Sequence, residues 1–226
     1  MAEADSTAIL QGAPDRATTH ENKNGKGGRS LETGHPPEQR TVDKPRLERA
    51  VREMLLAIDE DPEREGLRDT PRRIAESYEF LFSGLVEDPA EHLRVGFREE
   101  YREMVLMRDI PFCSVCEHHF LPIVGKVHVG YVPDGRVVGL SKLARVVEGY
   151  ARRPQLQERL TAQVADALYE ALGSRGSIVV VEAEHMCLTM RGVQKPGSVT
   201  VTNTARGLYA TDEHARREAI TLMTRR

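Results

Sequence analysis

Apolar residues recur at helical spacing early in the chain and switch to alternation in its middle. Leu47, Val51, Met54, Leu55 and Ile58 fall on one face, which predicts an amphipathic helix over 45–58. Thr70-Pro71 offers an N-cap and a first-turn proline, and Ile74, Tyr78, Leu81 and Phe82 follow before Gly84 ends this second helix. Met104-Val105-Leu106-Met107 is a short apolar run. Ile123 to Val132 alternates as a strand, with Val127, Val129 and Tyr131 on one face. Pro133-Asp134-Gly135 predicts a turn, and Val137-Val138 returns as its hairpin partner.

Helical spacing then resumes. Ser141 can cap a helix reaching Ala151, and Pro154 opens another whose Leu156, Leu160, Val164, Leu168 and Leu172 form a spine up to Gly173. Ile178 to Met190 predicts one long strand, and Ser198 to Thr204 pairs with it as a hairpin across Gly192–Gly197. A short helix from Asp212 closes the chain. The order predicts an α+β fold, antiparallel hairpins with helices on one face. A helical region, 45–100, precedes a strand-rich part, 101–226.

Residues 1–44 lack such a pattern. Asn22-Lys23-Asn24-Gly25-Lys26-Gly27-Gly28 and Gly34-His35-Pro36-Pro37 supply breakers and charge, so this stretch reads as a disordered tail before a single domain. A net charge of −3 over 226 residues gives no global pull toward nucleic acid or membrane. Any anion site must therefore come from local clustering of Arg and Lys. No apolar run approaches the roughly 18 residues of a membrane span, and no signal-peptide core opens the chain.

Cysteine changes the picture most. The three cysteines, Cys113, Cys116 and Cys187, cannot all pair, and their use suggests metal binding in a reducing cytoplasm. Cys116-Glu117-His118-His119 is answered by His185-Met186-Cys187, and thiolate with imidazole is a donor set that zinc favours. Two arrangements compete. Cys113, Cys116, His119 and Cys187 would close a structural site, whereas Cys116, His119 and Cys187 alone would keep a position for water. His118 and His119 are adjacent, so in extended chain only one reaches the ion. On the predicted 178–190 strand, Ala183, His185, Cys187, Thr189 and Arg191 share a face. Lys142 and Arg145, three apart at a predicted helix start, form either an anion site or a solvated basic face. Gln157-Glu158-Arg159 would ordinarily be first-turn polar surface, with Glu158 matching the helix dipole.

Further ordered matches join these. They are Asp61-Pro62-Glu63-Arg64-Glu65-Gly66-Leu67, Thr70-Pro71-Arg72-Arg73, Gly139-Leu140-Ser141-Lys142-Leu143-Ala144-Arg145 and His185-Met186-Cys187-Leu188-Thr189-Met190-Arg191-Gly192-Val193. Over essentially all of 45–226 the chain resembles the GTP cyclohydrolase I family. The resemblance implies conversion of GTP to 7,8-dihydroneopterin triphosphate and formate, the first step of folate- or tetrahydrobiopterin-type pterin synthesis. It implies Zn2+ held by Cys116, His119 and Cys187, with Cys113 an extra thiol where the family is typically not cysteine. It implies catalytic His118, His185 and Ser141, guanine recognition by Glu158 with Gln157, and a triphosphate clamp of Lys142, Arg145, Arg191 and a neighbouring subunit's Arg73. The implied architecture is the tunnelling fold, a four-stranded antiparallel sheet backed by helices. The implied assembly is a toroidal homodecamer, a dimer of pentamers, with active sites between subunits. Competing readings are a non-catalytic zinc- and nucleotide-binding module and a pterin- or deazapurine-handling relative.

Overall fold

The computed structural model describes residues 42–225, so the expected tail, apart from residues 42–44, lies outside the described residues. Helix α1 (Lys44–Ala57) is capped by Asp43, whose carboxylate accepts the Arg46 N–H at 3.0 Å. Helix α2 (Thr70–Leu81) has Asp69 at its N-cap, not Thr70. Thr70 is already helical, and its hydroxyl accepts from Arg73 at 3.2 Å instead. A short helix α3 (Glu91–Arg94) and strand β1 (Gly96–Arg98) lead into the sheet.

The apolar run at Met104 proves to be the entry to a 12-residue strand, β2 (Val105–Cys116). Asp109, at φ 57°, breaks its register between Met107 and Ile110, which hides the strand's periodicity. β2 pairs antiparallel with β3 (Pro122–Val132), β3 with β6 (Gly176–His185), and β6 with β7 (Val199–Gly207). Both edges of β3 are thereby filled. Val137-Val138, expected to return on β3, instead form β4 (Arg136–Val138), which pairs with β1.

Helix α4 (Leu140–Ala151) is capped by Gly139, so Ser141 sits within its first turn and is not the cap. Pro154 does not open a helix. With Gln155 it forms β5 (Pro154–Gln155), a two-residue strand parallel to β2, and extended Leu156 then leads into α5 (Gln157–Glu170). Among the described residues the sheet therefore has five strands in the order β5-β2-β3-β6-β7, four of them antiparallel, where four had been expected.

The expected strand over 178–190 stops at His185. Its pairing to β3 and β7 runs out at His185 and Glu184, and the chain turns into a single helical turn, α6 (Met186–Thr189). After β7 come α7 (Leu208–Thr211) and α8 (Glu213–Thr224), where Asp212 caps by accepting from the Ala215 N–H at 3.0 Å.

α4 and α5 lay Leu143, Val146, Val147, Leu160, Val164 and Leu168 on a sheet face built from Ile110, Phe112, Val127, Val129, Tyr131, Val179 and Val181. Burying each such aliphatic side chain is worth about 1.5–3 kcal/mol. The opposite face is not bare, contrary to a one-sided arrangement. There Val132, Ile178 and Val180 meet Tyr209, Ala219 and Met223 from α7 and α8. Among the described residues no helix is long and apolar enough to cross a membrane.

Candidate metal and catalytic site

β2 delivers Cys116 as its last residue, buried at the end of the main core. The chain then turns: the Phe120 N–H donates to Cys116 O at 2.8 Å and the Cys116 N–H to Leu121 O at 2.9 Å, with Phe120 at φ 54°. This turn, not an extended strand, separates the adjacent histidines, whose rings stand 6.2 Å apart at 83°. On the other side, the early end of β6 lets α6 swing Cys187 back toward the sheet. The ligand atoms of Cys116, His119 and Cys187 lie within 4.8 Å of one another. That span is close to the reach of one ion bonded to sulfur and nitrogen at about 2.0–2.3 Å.

Cys113 is not in this group. Three positions from Cys116 on a strand, it faces the other way, and its thiol is exposed. Of the two ligand sets open from spacing, the structure gathers the three-residue one. Burial, then the neighbouring Cys116 thiol, push the Cys187 thiol above its ordinary value.

Side chains around the trio are tied to it. Arg191 donates to His119 Nε2 at 3.0 Å. His185 Nε2 lies 2.7 Å from Gln157 Oε1, and burial holds the imidazole below its usual pKa against the opposing charge of Glu158. Glu158 itself is exposed in the first turn of α5. Sequence reasoning missed one pair. Arg159 grips Glu117 with two parallel hydrogen bonds of 2.6 and 3.0 Å, fastening the His118-His119 turn to the start of α5. Arg159 also holds the Glu117 carboxyl below the ordinary carboxylate range. Both residues stand inside motifs already singled out, but nothing in one sequence couples them across 42 positions.

Four further candidates are not joined to this group within one chain. Ser141, Lys142 and Arg145 occupy the first turns of α4 and make no side-chain hydrogen bond or ion pair with any described residue. Arg73 is engaged around the start of its own helix, donating to Gly66 O at 3.3 Å in the preceding turn and to Thr70 Oγ1 at 3.2 Å, with Asp69 3.8 Å away.

The family described as GTP cyclohydrolase I matches residues 47–224, which takes in both clusters and every helix and strand that holds them. The chain belongs to the GTP cyclohydrolase I family of enzymes. A relative named GTP cyclohydrolase 1 from Carboxydothermus hydrogenoformans is 62% identical over 183 residues, which is 80% of this chain and 95% of that protein. Proteins of the same name from Halalkalibacterium halodurans and Mycolicibacterium vanbaalenii are 59% and 58% identical. They share 80% and 81% of this chain, and 97% and 92% of their own lengths. In this GTP cyclohydrolase I family member a single chain brings the Cys-His-Cys trio together beside His118, while Lys142 and Arg145 lie apart on α4.

Proposed function

We propose that this chain converts GTP to 7,8-dihydroneopterin triphosphate and formate, with zinc held by Cys116, His119 and Cys187. The observation that carries the reading is a three-donor set with two further imidazoles beside it. Two thiols and an imidazole suit zinc, and three ligands leave a tetrahedral position free. The donor chemistry fits. The half-buried Cys187 thiol, pushed up by burial and then by the Cys116 thiol, is relieved by a divalent cation. When bound, zinc supplies Lewis-acid activation of water near neutral pH.

The chain's own residues divide the remaining work. His118 gives a proton to guanine N7 as the five-membered ring opens, and His185 moves the proton needed when the C8 carbon leaves as formate. The ribose then opens and rearranges, and closure onto the freed amine returns a water. Ser141 acts beside the ribose and phosphates in these later steps. Glu158 accepts from guanine N1–H and the 2-amino group, donors that adenine does not offer, while the amide of its neighbour Gln157 is turned to His185 and the β6 and β7 main chain.

A triphosphate carries about four negative charges, which Lys142, Arg145, Arg191 and Arg73 offset. Neutral His119 has one ring lone pair, and Arg191 holds it at Nε2. A metal needs that same lone pair, so Arg191 must turn away when the ion binds, which frees its guanidinium for phosphate. Ser141, Lys142, Arg145 and Arg73 make no bond to the trio within one chain, and in this reading another copy supplies them. The reading therefore includes active sites between subunits of a tunnelling-fold homodecamer. It also takes 45–226 as the catalytic domain, 1–44 as a tail, and the cytoplasm as its location.

The test is direct. Zinc-loaded protein given GTP should release formate in step with a pterin that fluoresces after oxidation, and chelation should stop both until zinc is restored. GTP recovered intact from zinc-loaded protein would instead favour a nucleotide-binding module without catalysis.

A further inference from the structure

Gln157 is the first residue of α5, and its side chain is buried against the main chain of β6 and β7. Its Nε2 lies 3.1 Å from Val181 O, 3.0 Å from Thr200 O and 3.2 Å from Thr202 Oγ1. Backbone carbonyls only accept, so this end of the amide must be the NH2. Turned over, Oε1 would face two carbonyl oxygens at the same distances. The hydroxyls agree. Thr161 donates to the main-chain oxygen of Gln157 at 2.6 Å, so Thr202 must supply the proton in the 2.6 Å contact between the two hydroxyls. That leaves Thr202 Oγ1 to accept from Gln157.

With the amide fixed, Oε1 is the atom 2.7 Å from His185 Nε2, and an amide oxygen can only accept. His185 therefore donates through Nε2–H. In the neutral ring the lone pair is then on Nδ1, which has no hydrogen-bond partner among the described residues. The ring belongs to the last residue of β6, where the strand gives way to α6, and a single bond to Gln157 sets its rotation.

We propose that Gln157 is a positioning residue that fixes the orientation and the Nε2–H tautomer of His185, so that Nδ1 is the nitrogen offered to the substrate. This deepens the proposed function, since it rests on His185 acting on the substrate. It also separates two neighbours. Glu158, exposed beside it, meets guanine directly, whereas the side chain of Gln157 reaches the reaction through His185.

The experiment is a double-mutant cycle on zinc-loaded protein, using Gln157→Met, which keeps length and burial but loses the amide, and His185→Asn. Thermal unfolding and zinc content are measured on every variant. Gln157→Met should lower kcat for formate release by about tenfold or more while KM for GTP stays within about threefold. In the His185→Asn background the same change should cost less than about twofold, because its target is gone. Should Gln157→Met fail to fold, Thr202→Val loosens the same amide and should lower kcat a few-fold, again only when His185 is present. A raised KM with kcat retained would overturn the proposal in favour of a direct guanine contact. Losses that multiply in the double variant would overturn it in favour of general support for the α5 packing. Full activity in His185→Asn alone would remove the catalytic role of His185 itself, a result distinct from either.

Discussion

A thiol can bind an ion only if its side chain faces it, and on β2 that condition separates two cysteines three positions apart. Cys116 is buried beside Cys187, while Cys113 is exposed on the opposite face. Cys187→Ser should therefore strip the metal and abolish formate release, and Cys113→Ser should leave both near wild type, as metal analysis per chain will report. Loss of metal from Cys113→Ser would restore the closed four-ligand arrangement. Spacing alone named all four candidates but could not choose. The deciding parity was hidden because Asp109, Pro111 and Ser114 interrupt the apolar alternation of β2. Gln157 was legible as a residue beside the site, yet its contacts with Val181, Thr200 and Thr202 depend on β6 and β7 lying under α5, which a local pattern does not reveal.

The strands that lead to the two clusters do not touch: β2 ends at Cys116 and β6 at His185, just before Cys187 on α6, and β3 lies between them and sets the gap across which the trio forms. Gly125 of β3 faces Ala183 of β6, and a Cβ there would come 2.0 Å from Glu182 O and 2.6 Å from the Ala183 Cα. Neither backbone atom can yield without moving its strand. Gly125→Ala should cost about 1–3 kcal/mol or more in denaturant unfolding and weaken metal retention, since it widens that gap. Stability and metal affinity equal to wild type would show that β3 does not set this spacing. Elements with a continuous apolar pattern (α1, α2, α4, α5, β3 and β7) were readable to within a few residues. The errors at β4, β5 and the end of β6 share one cause. Each depends on which strand edge is still open, and that is decided by tertiary pairing rather than by local period.

At the scale of the molecule, the two sheet faces carry separate cores, and the smaller one ends at a buried imidazole. His128 of β3 accepts the Asp109 N–H through Nδ1 at 3.2 Å, while its buried Nε2 has no hydrogen-bond partner among the described residues. Arg108, beside it, donates to Leu222 O at 2.8 Å and Arg225 O at 3.1 Å, so the β2 bulge and the end of α8 meet over this ring. Burial lowers the pKa of His128; Asp109 and Glu182 oppose the shift, and Lys126 and Arg108 add to it. The unfolded chain takes up a proton near pH 6.5 that the folded chain resists. The stability linked to His128 is therefore complete above about pH 6.5 and is lost as pH falls toward the lower folded pKa. Unfolding free energy should decline between about pH 7 and 5, and His128→Gln should flatten that decline. His185 is also held low by burial, but it is unchanged between the two proteins, so the difference in slope at equal metal loading isolates His128. An identical acid slope in His128→Gln would mean that the ring gains solvent or a partner before it titrates, and that the α8 face loosens ahead of the main core.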